Sequence, residues 1–273
     1  MASFSLKQLV AIIHSLGIRT TAARLGYTVR GRLYEARWAP SSSRTPQEAP
    51  LGELRSHKMD GQAVHLACSG GDLYLEVLAA DLIRFRLLPA GAGVPDPPFS
   101  YALNPDVEWP AVAITVEEGE DALNIGTGTL TCRVDRSPCR LTFLDAQGWP
   151  LSEAADGLGF QGQGAYCTRR LVEGEALYGT GERTFDLNLR GRKLELWNRD
   201  AESYAPGVDP IHLCIPLLVG LREGRAYGFL FDNPGRARLD LGQVQPSELR
   251  YKADTGELCV YFFGGGTIPA VLA

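Results

Sequence analysis

The sequence predicts an all-β protein, a sandwich of antiparallel sheets preceded by a short helical arm. Three observations lead there. Short apolar or alternating runs, four to nine residues long by eye, recur along most of the chain. The 31 glycines and 17 prolines fall between those runs, where turns belong. Nowhere do strands alternate with helix-length amphipathic segments, as a parallel sheet with crossover helices requires. A 45% hydrophobic content over 273 residues is enough for a substantial core.

The opening residues differ from the rest. Residues 5–38 have helical periodicity. Ser5 is placed to cap, and Leu6, Leu9, Val10, Ile13 and Leu16 form one stripe. Gly17 stops that helix. A second begins at Thr20 or Thr21, with Leu25, Val29 and Leu33 in line among Arg24, Arg30, Arg32 and Arg37. The basic pair of helices invites a nucleic-acid reading or a membrane-surface one. The second helix has no separate recognition face, and the whole chain carries a formal charge of -5. The expectation is a helical arm that packs on the body or on a neighbour, with no nucleic acid and no membrane as partner. Residues 39–50, rich in Ser and Pro, have the composition of a linker.

The body is expected over residues 51–266. Strands are expected at 62–68 and 72–77 around the Ser69-Gly70-Gly71 turn, then at 82–88, where Arg84 and Arg86 share one face. Those two arginines are expected to be solvated or paired with carboxylates. Further strands fall at 111–116, 124–134 and 139–144. Residues 145–164 look like a long glycine-rich loop, and 165–171 like a strand. Leu187, Leu189, Leu194 and Leu196 alternate with polar residues, as half-buried strands do. Residues 215–221 and 226–231 form a hairpin about a four-residue turn, and 237–241, 249–251 and 259–263 complete the set. Thr267 and Pro269 then start a helix at 267–273. So short a helix needs packing to persist, and a further domain is expected beyond it.

The six cysteines are widely spaced with no Cys-x-x-Cys, and buried free thiols are the expected state; Cys132 and Cys139 are the pair that a hairpin brings near. No His lies at metal-ligand spacing from another, and no phosphate loop or nucleophile elbow occurs, so neither metal nor cofactor is implied. With no leader-like N-terminus and no apolar stretch of ~18 residues, the expected location is the cytoplasm.

The densest polar and aromatic stretch is residues 176–209. Glu182, Asp186, Asp200, Glu202 and Asp209 flank its loops. Glycoside hydrolysis needs two carboxylates facing one bond, and spacing singles out no such pair. Sugar binding asks for a planar aromatic face and fork-like polar groups, and Trp197, Asn198, Arg199 and Asp200 supply both. Either Asp200 contacts a ligand, or it pairs with an arginine or caps a turn in a purely structural loop. His212 with Glu182 is the nearest acid-base pair for a mutarotase-like activity.

Several motifs are found in order over about ninety residues: Tyr178-Gly179-x-Gly181-Glu182, Trp197-Asn198-x-Asp200, Tyr204-x-Pro206-Gly207, Asp209-Pro210, Ile215-Pro216, and Gly228-x-x-Phe231-Asp232-Asn233. Tyr261-Phe262-Phe263-x-Gly265 with Thr267-x-Pro269 closes the series. Together they resemble the N-terminal domain of glycoside hydrolase family 31, the α-glucosidases and α-xylosidases. The resemblance fades before residue 60. It implies a galactose-mutarotase-like β-sandwich that packs on a (β/α)8 barrel, with both catalytic aspartates of a retaining mechanism in the barrel. This chain has no Trp-x-Asp-Met nucleophile motif, so no catalytic residue is assigned to it. The resemblance makes Asp200 a substrate-binding residue, accepting hydrogen bonds from the sugar in the leaving-group subsite, with Arg199 and Asn198 beside it. Trp197, Tyr178, Glu182 and Tyr204 become supports of that loop. The implied partners are an α-linked glucoside or related oligosaccharide and the C-terminal barrel. The barrel-facing surface, with Tyr204, Pro206, Ile268 and Val271, is expected to be exposed and to favour self-association. The alternative is a free-standing carbohydrate-binding or mutarotase-like module.

Overall fold

The computed structural model describes residues 10, 13–15, 17–38, 46–93, 100–104, 106–201 and 204–273. By contacts the chain divides into residues 1–45 and residues 46–273. In the first unit, α1 (Ile18–Trp38) is the long helix. Most of the helix expected before it falls outside the described residues. Gly17 does end it: its φ of +78° suits glycine, and its N–H closes back on the Ile13 carbonyl at 2.9 Å. The helix then resumes at Ile18, earlier than Thr20. Leu25, Val29 and Leu33 are exposed.

The second unit is an antiparallel β-sandwich. One layer is an eight-stranded sheet in the order β13-β15-β16-β19-β5-β4-β3-β2. Its strands are β2 (Leu54–Asp60), β3 (Ala63–Cys68), β4 (Asp72–Ala79), β5 (Leu82–Leu88), β13 (Ala176–Gly181), β15 (Cys214–Arg222), β16 (Arg225–Phe231) and β19 (Leu258–Gly266). Two smaller sheets face it. The six-stranded one runs β1-β11-β12-β18-β17-β14, from β1 (Glu48–Pro50), β11 (Ala154–Gln161) and β12 (Gly164–Arg170) to β18 (Glu248–Ala253), β17 (Ala237–Leu241) and β14 (Lys193–Leu196). The five-stranded one runs β10-β9-β8-β7-β6, from β10 (Pro150–Ser152) through β9 (Cys139–Asp145), β8 (Leu130–Arg136) and β7 (Ala122–Gly126) to β6 (Thr115–Glu118). One core joins all three sheets. Phe143 of β9 stacks on Phe262 of β19 at 3.9 Å, and Tyr251 of β18 stacks on Phe231 of β16 at 4.2 Å. The eight-stranded sheet thus packs on both partners through aromatic rings.

Several expectations need correction, each for a local reason. The stretch 39–50 is not all linker, because β1 pairs antiparallel with β11 from Glu48 to Pro50. That pairing draws on β11, which lies with β10 inside the stretch read as a glycine-rich loop. Glycines at 157 and 159 hid β11; a Cβ at Gly159 would meet the Ala49 carbonyl oxygen at 2.3 Å, so the close approach of β1 requires glycine there. Residues 124–134 are two strands, split by a turn in which the Thr127 hydroxyl accepts from Leu130 N–H at 2.9 Å. Residues 111–114 are not strand, and the Val112 N–H donates to the Gln62 side chain. β2 is an additional strand, mostly exposed and therefore without an alternating signal. The β15–β16 hairpin turns on two residues, Glu223 and Gly224, at φ +50° and +79°, as a type I′ turn demands.

Arg84 and Arg86 are paired, as one of the two expectations held, but buried. Arg84 binds Glu76 through two bonds of 2.7 Å and donates to the Tyr261 hydroxyl, and Arg86 meets Glu257. They lie on the face of the eight-stranded sheet turned away from Phe85. At the C-terminus Thr267 caps α2 (Ile268–Leu272), as its position suggested. Val271 is buried rather than exposed. It sits over Gly228, where an added Cβ would meet Val271 Cγ1 at 2.8 Å. All six cysteines are free thiols.

A buried ionic cluster crosses the sandwich. Arg169 on β12 bonds to Glu175 and to the Tyr227 hydroxyl on β16, and Glu175 also accepts from Tyr227 and from Val172 N–H. The guanidinium lies 4.6 Å from the Tyr227 ring centre. Burial raises the pKa of the Tyr227 phenol well above its ordinary value, so it stays a donor. Removing one partner leaves the other charge buried and uncompensated. Glu175→Ala is therefore expected to lower stability by about 3–5 kcal/mol, whereas the double change Arg169→Met with Glu175→Leu should recover most of that loss. Urea titrations of the three proteins check this; equal losses in the single and double variants would contradict it.

Candidate functional site

The chain leaves β13 through three residues in the left-handed region: Gly179, Thr180 and Gly181, at φ +98°, +65° and +85°. The two glycines are needed because β15 passes close by. A Cβ on either would sit 2.5 Å from a backbone oxygen, of Leu217 or Leu213. Thr180, held strained between them, is fully buried, and its hydroxyl accepts from Arg183 Nε at 3.0 Å.

Arg183 then organises the base of the site. It is ion-paired with Asp209, both side chains being nearly buried. The pair also grips β14, the edge strand of the six-stranded sheet. Asp209 Oδ2 accepts from the Glu195 N–H at 2.6 Å, and Arg183 Nη1 donates to the Glu195 carbonyl at 3.2 Å. One side-chain pair thereby satisfies the peptide groups that a neighbouring strand would bind. Thr184 closes the loop from the other side, accepting from Gly207 N–H and donating to the Val208 carbonyl.

Above this base stands the Trp197–Asp200 turn. Asn198 Oδ1 accepts from Cys214 N–H at 2.7 Å, and Arg199 N–H donates to the Ile211 carbonyl at 3.1 Å. These bonds leave Asp200 at the tip with its side chain 74% exposed, its carboxylate 3.8 Å from His212 Nδ1. Tyr204 presents its ring edge-on to His212 at 5.7 Å. Trp197, Tyr204, Val208, Leu213 and Ile215 are all exposed around the turn.

The structure brings Trp197, Asn198, Asp200, Tyr204 and His212 together. Asn198 ties its own loop, because its side-chain oxygen is bound to the Cys214 N–H. Glu182 is exposed beside β15, and its backbone N–H donates to the Leu213 carbonyl. Tyr178, expected to support the loop, does not. It lies on the face of β13 that packs with Val219, Leu221 and Val271 near α2, because alternate side chains of a strand point to opposite faces. Asp209, one of the flanking carboxylates, is a structural anchor. Asp186 projects into solvent, and Glu202 falls outside the described residues. Leu187 and Leu189 are not in a strand, and Leu187 is exposed. The acid-base pair of His212 with Glu182 is not what forms; His212 faces Asp200. Among the described residues no three His, Cys, Asp or Glu side chains gather as a metal ion would require.

Arg183 went unnoticed in the sequence, where an arginine beside a turn is unremarkable. Its partner is Asp209, and no spacing rule joins residues so far apart. The signal was indirect: two glycines flanking one threonine mark a turn that must fit closely against something.

The described residues thus form an antiparallel sandwich that holds out one polar and aromatic turn. The chain belongs to the glycosyl hydrolase 31 N-terminal galactose mutarotase-like family, whose model matches residues 72–240. It is 26% identical over 225 residues to Alpha-glucosidase 2 of Bacillus thermoamyloliquefaciens, a match covering 81% of this chain and 28% of the relative. In fold it is similar to the family 31 dextranase of Flavobacterium johnsoniae solved with isomaltotriose, with a TM-score of 0.74, 24% identity, and 82% and 28% of the two chains covered. It is also similar to the family 31 α-xylosidase of Xanthomonas citri, with a TM-score of 0.55, 27% identity, and coverage of 67% and 19%. The chain thus spans less than a third of each of these proteins. It corresponds to the N-terminal part of multidomain enzymes, and no (β/α)8 barrel occurs among the described residues.

The geometry separates two aspartates in one stretch. Asp209→Ala is expected to cost about 3 kcal/mol or more, since it strands Arg183 and frees the β14 edge. Asp200→Ala, at an exposed tip, is expected to change stability by no more than about 0.5 kcal/mol. Thermal or urea unfolding of the two variants decides it, and comparable losses would mean that Asp200 holds the loop after all.

Proposed function

We infer that this chain is the non-catalytic N-terminal domain of an α-glucosidase-like retaining glycosyl hydrolase, and that its Trp197–Asp200 turn lines the leaving-group side of the active site. The observation that carries this is the state of Asp200: a carboxylate held out to solvent on a base locked by Arg183 and Asp209. A structural aspartate would be spent on its own loop, as Asp209 is. The substrate of the whole enzyme is an α-linked glucoside or related oligosaccharide, consistent with the glucosidase, dextranase and xylosidase relatives. The partner in cis is a C-terminal (β/α)8 barrel, docked over the exposed ring of Trp197, Tyr204, Val208, Leu213 and Ile215. Without that cover the same ring favours self-association. Arg199 adds a cationic group beside Asp200, and Glu182 braces the loop through β15.

Retaining hydrolysis needs a nucleophile and an acid/base about 5 Å apart, and Asp200 cannot serve as both. The 273-residue chain alone is expected not to hydrolyse α-glucosides. In the full-length enzyme a charge-assisted hydrogen bond to a sugar hydroxyl contributes about 1.5–3 kcal/mol. Asp200→Ala should therefore lower kcat/KM by roughly 10- to 100-fold. The loss should be greater for a disaccharide than for an activated aryl glucoside, whose leaving group offers fewer hydroxyls. Steady-state kinetics on both substrates make the test. Equal losses would remove Asp200 from the leaving-group subsite, and turnover by the isolated chain would overturn the non-catalytic assignment.

A further inference from the structure

The edge of the six-stranded sheet carries a groove that the turn at Asp200 does not use. It is open to solvent with a volume of about 480 Å³, and its walls include Phe185, Arg192, Lys193, Glu195, Arg238 and Gln243. That volume falls within the roughly 300–1,000 Å³ of small-ligand sites. Asp209, the partner of Arg183, and Gly207 also border it.

Three features of the groove specify a ligand. First, β14 is an edge strand, and alternate residues of an edge turn their peptide groups outward. Those of Glu195 are bound by Asp209 and Arg183. The peptide groups of Lys193, two residues earlier, point the same way and open into the groove. Second, the charges of the walls are largely cancelled within the protein. Arg238 is held by Asp254 at 2.6 and 3.2 Å, Glu195 by Arg236, Asp209 by Arg183, and Arg192 lies 3.7 Å from Asp186. Lys193 is the one lining charge without an ion-pair partner among the described residues. Apart from that single ammonium the walls are balanced, so a multiply charged ligand finds no cluster of counter-charges here. Third, what remains for a ligand is a set of single donors and acceptors: the Lys193 ammonium and peptide, the Gln243 carboxamide, and the outer N–H groups of Arg192, whose Cζ lies 5.0 Å from the Phe185 ring centre. Such an arrangement of amide, ammonium and guanidinium groups beside an aromatic edge matches the hydroxyl-rich rim of a neutral sugar.

We propose that this groove is a second oligosaccharide-binding site, separate from the Asp200 turn and taking a neutral glucan through hydroxyl contacts to Lys193, Arg192 and Gln243. It rests on the reading of the chain as part of a glucan-acting enzyme. Its role is to hold a length of substrate remote from the reacting bond, which raises the local concentration of chain ends without altering the chemical step.

The test titrates the isotope-labelled 273-residue chain with maltohexaose and, separately, with a galacturonic acid hexamer, following backbone amide shifts. The expected result is saturable binding of maltohexaose in the millimolar range with shifts centred on residues 192–195 and 243. Lys193→Ala and Gln243→Ala should each weaken it by about tenfold, the loss of a hydrogen bond's worth of affinity. Both side chains are at the surface, and an unchanged amide spectrum elsewhere confirms that each variant is folded. No saturation, tighter binding of the acidic hexamer, or shifts confined to residues 197–212 would each overturn the groove assignment. Binding abolished by Asp200→Ala but not by Lys193→Ala would likewise place the sugar at the turn, sinking the groove while supporting the functional reading. Conversely, a groove that binds as expected in a protein whose full-length Asp200→Ala form keeps full activity would sink the subsite reading alone.

Discussion

The ion pair of Arg183 and Asp209 is the constraint on which the candidate site depends. β14 is short, exposed at the sheet edge and followed at once by the turn that carries Asp200. An edge strand of four residues has little to hold it in register. The pair supplies the missing neighbour: a carboxylate for the Glu195 N–H and a guanidinium for its carbonyl. It joins three segments in doing so, the turn after β13, the edge itself and the return of the loop at Asp209. The cost of burying two charges is met because nearly every polar atom finds a partner, including Thr180 and the Cys214 sulfur. The position of Asp200 is thus set by groups more than one turn of chain away from it.

A second buried charge cluster does a different task. Arg169, Glu175 and Tyr227 bridge the six-stranded and eight-stranded layers through the core. Apolar side chains could fill that space, and the stacked rings of Phe143, Phe262, Phe231 and Tyr251 supply cohesion already. What the cluster adds is orientation. Glu175 also ties down the Val172 N–H, so the segment leading into β13 is fixed to the same core residue. The turn at Gly179–Gly181 begins from a strand whose entry is already placed, and that turn leads to Arg183 and its pairing with Asp209.

How much of this was legible in the sequence follows from where the information lies. Alternation in residues 82–88 and 259–263 showed strands of the central sheet, because apolar side chains on one face must repeat every two residues. The same logic missed β2, which is exposed, and β11, where glycines take the place of a pattern because β1 lies against them. It read Leu187 and Leu189 as strand, whereas only Leu189 is buried and the backbone between them turns. At the site, the residue types around Asp200 were visible from the cluster of Trp197, Asn198, Arg199 and Asp200. The roles were not, because a role depends on which polar atoms are already bound. Asn198 is occupied by the Cys214 N–H and Asp209 by Arg183, while Asp200 is left exposed. Two aspartates nine positions apart look alike in sequence and differ only in their partners.

The exposure of Asp200 has an energetic meaning for an accessory domain. In water a carboxylate 3.8 Å from an imidazole at the surface interacts weakly, because solvent and salt screen the pair. On the proposed function, covering the turn with a partner domain and a sugar would remove that screening, and the same geometry would then count for more. A carboxylate buried within the isolated domain would have had to be satisfied there and would offer nothing to a ligand. On that reading, leaving Asp200 wet and its support dry keeps the acceptor free until the site is closed, while Arg183 and Asp209 hold the position it needs. Rigidity below the turn and solvation at its tip are then two halves of one arrangement: the first sets where a hydrogen bond to the proposed sugar can form, and the second postpones its formation until a hydroxyl is there to make it.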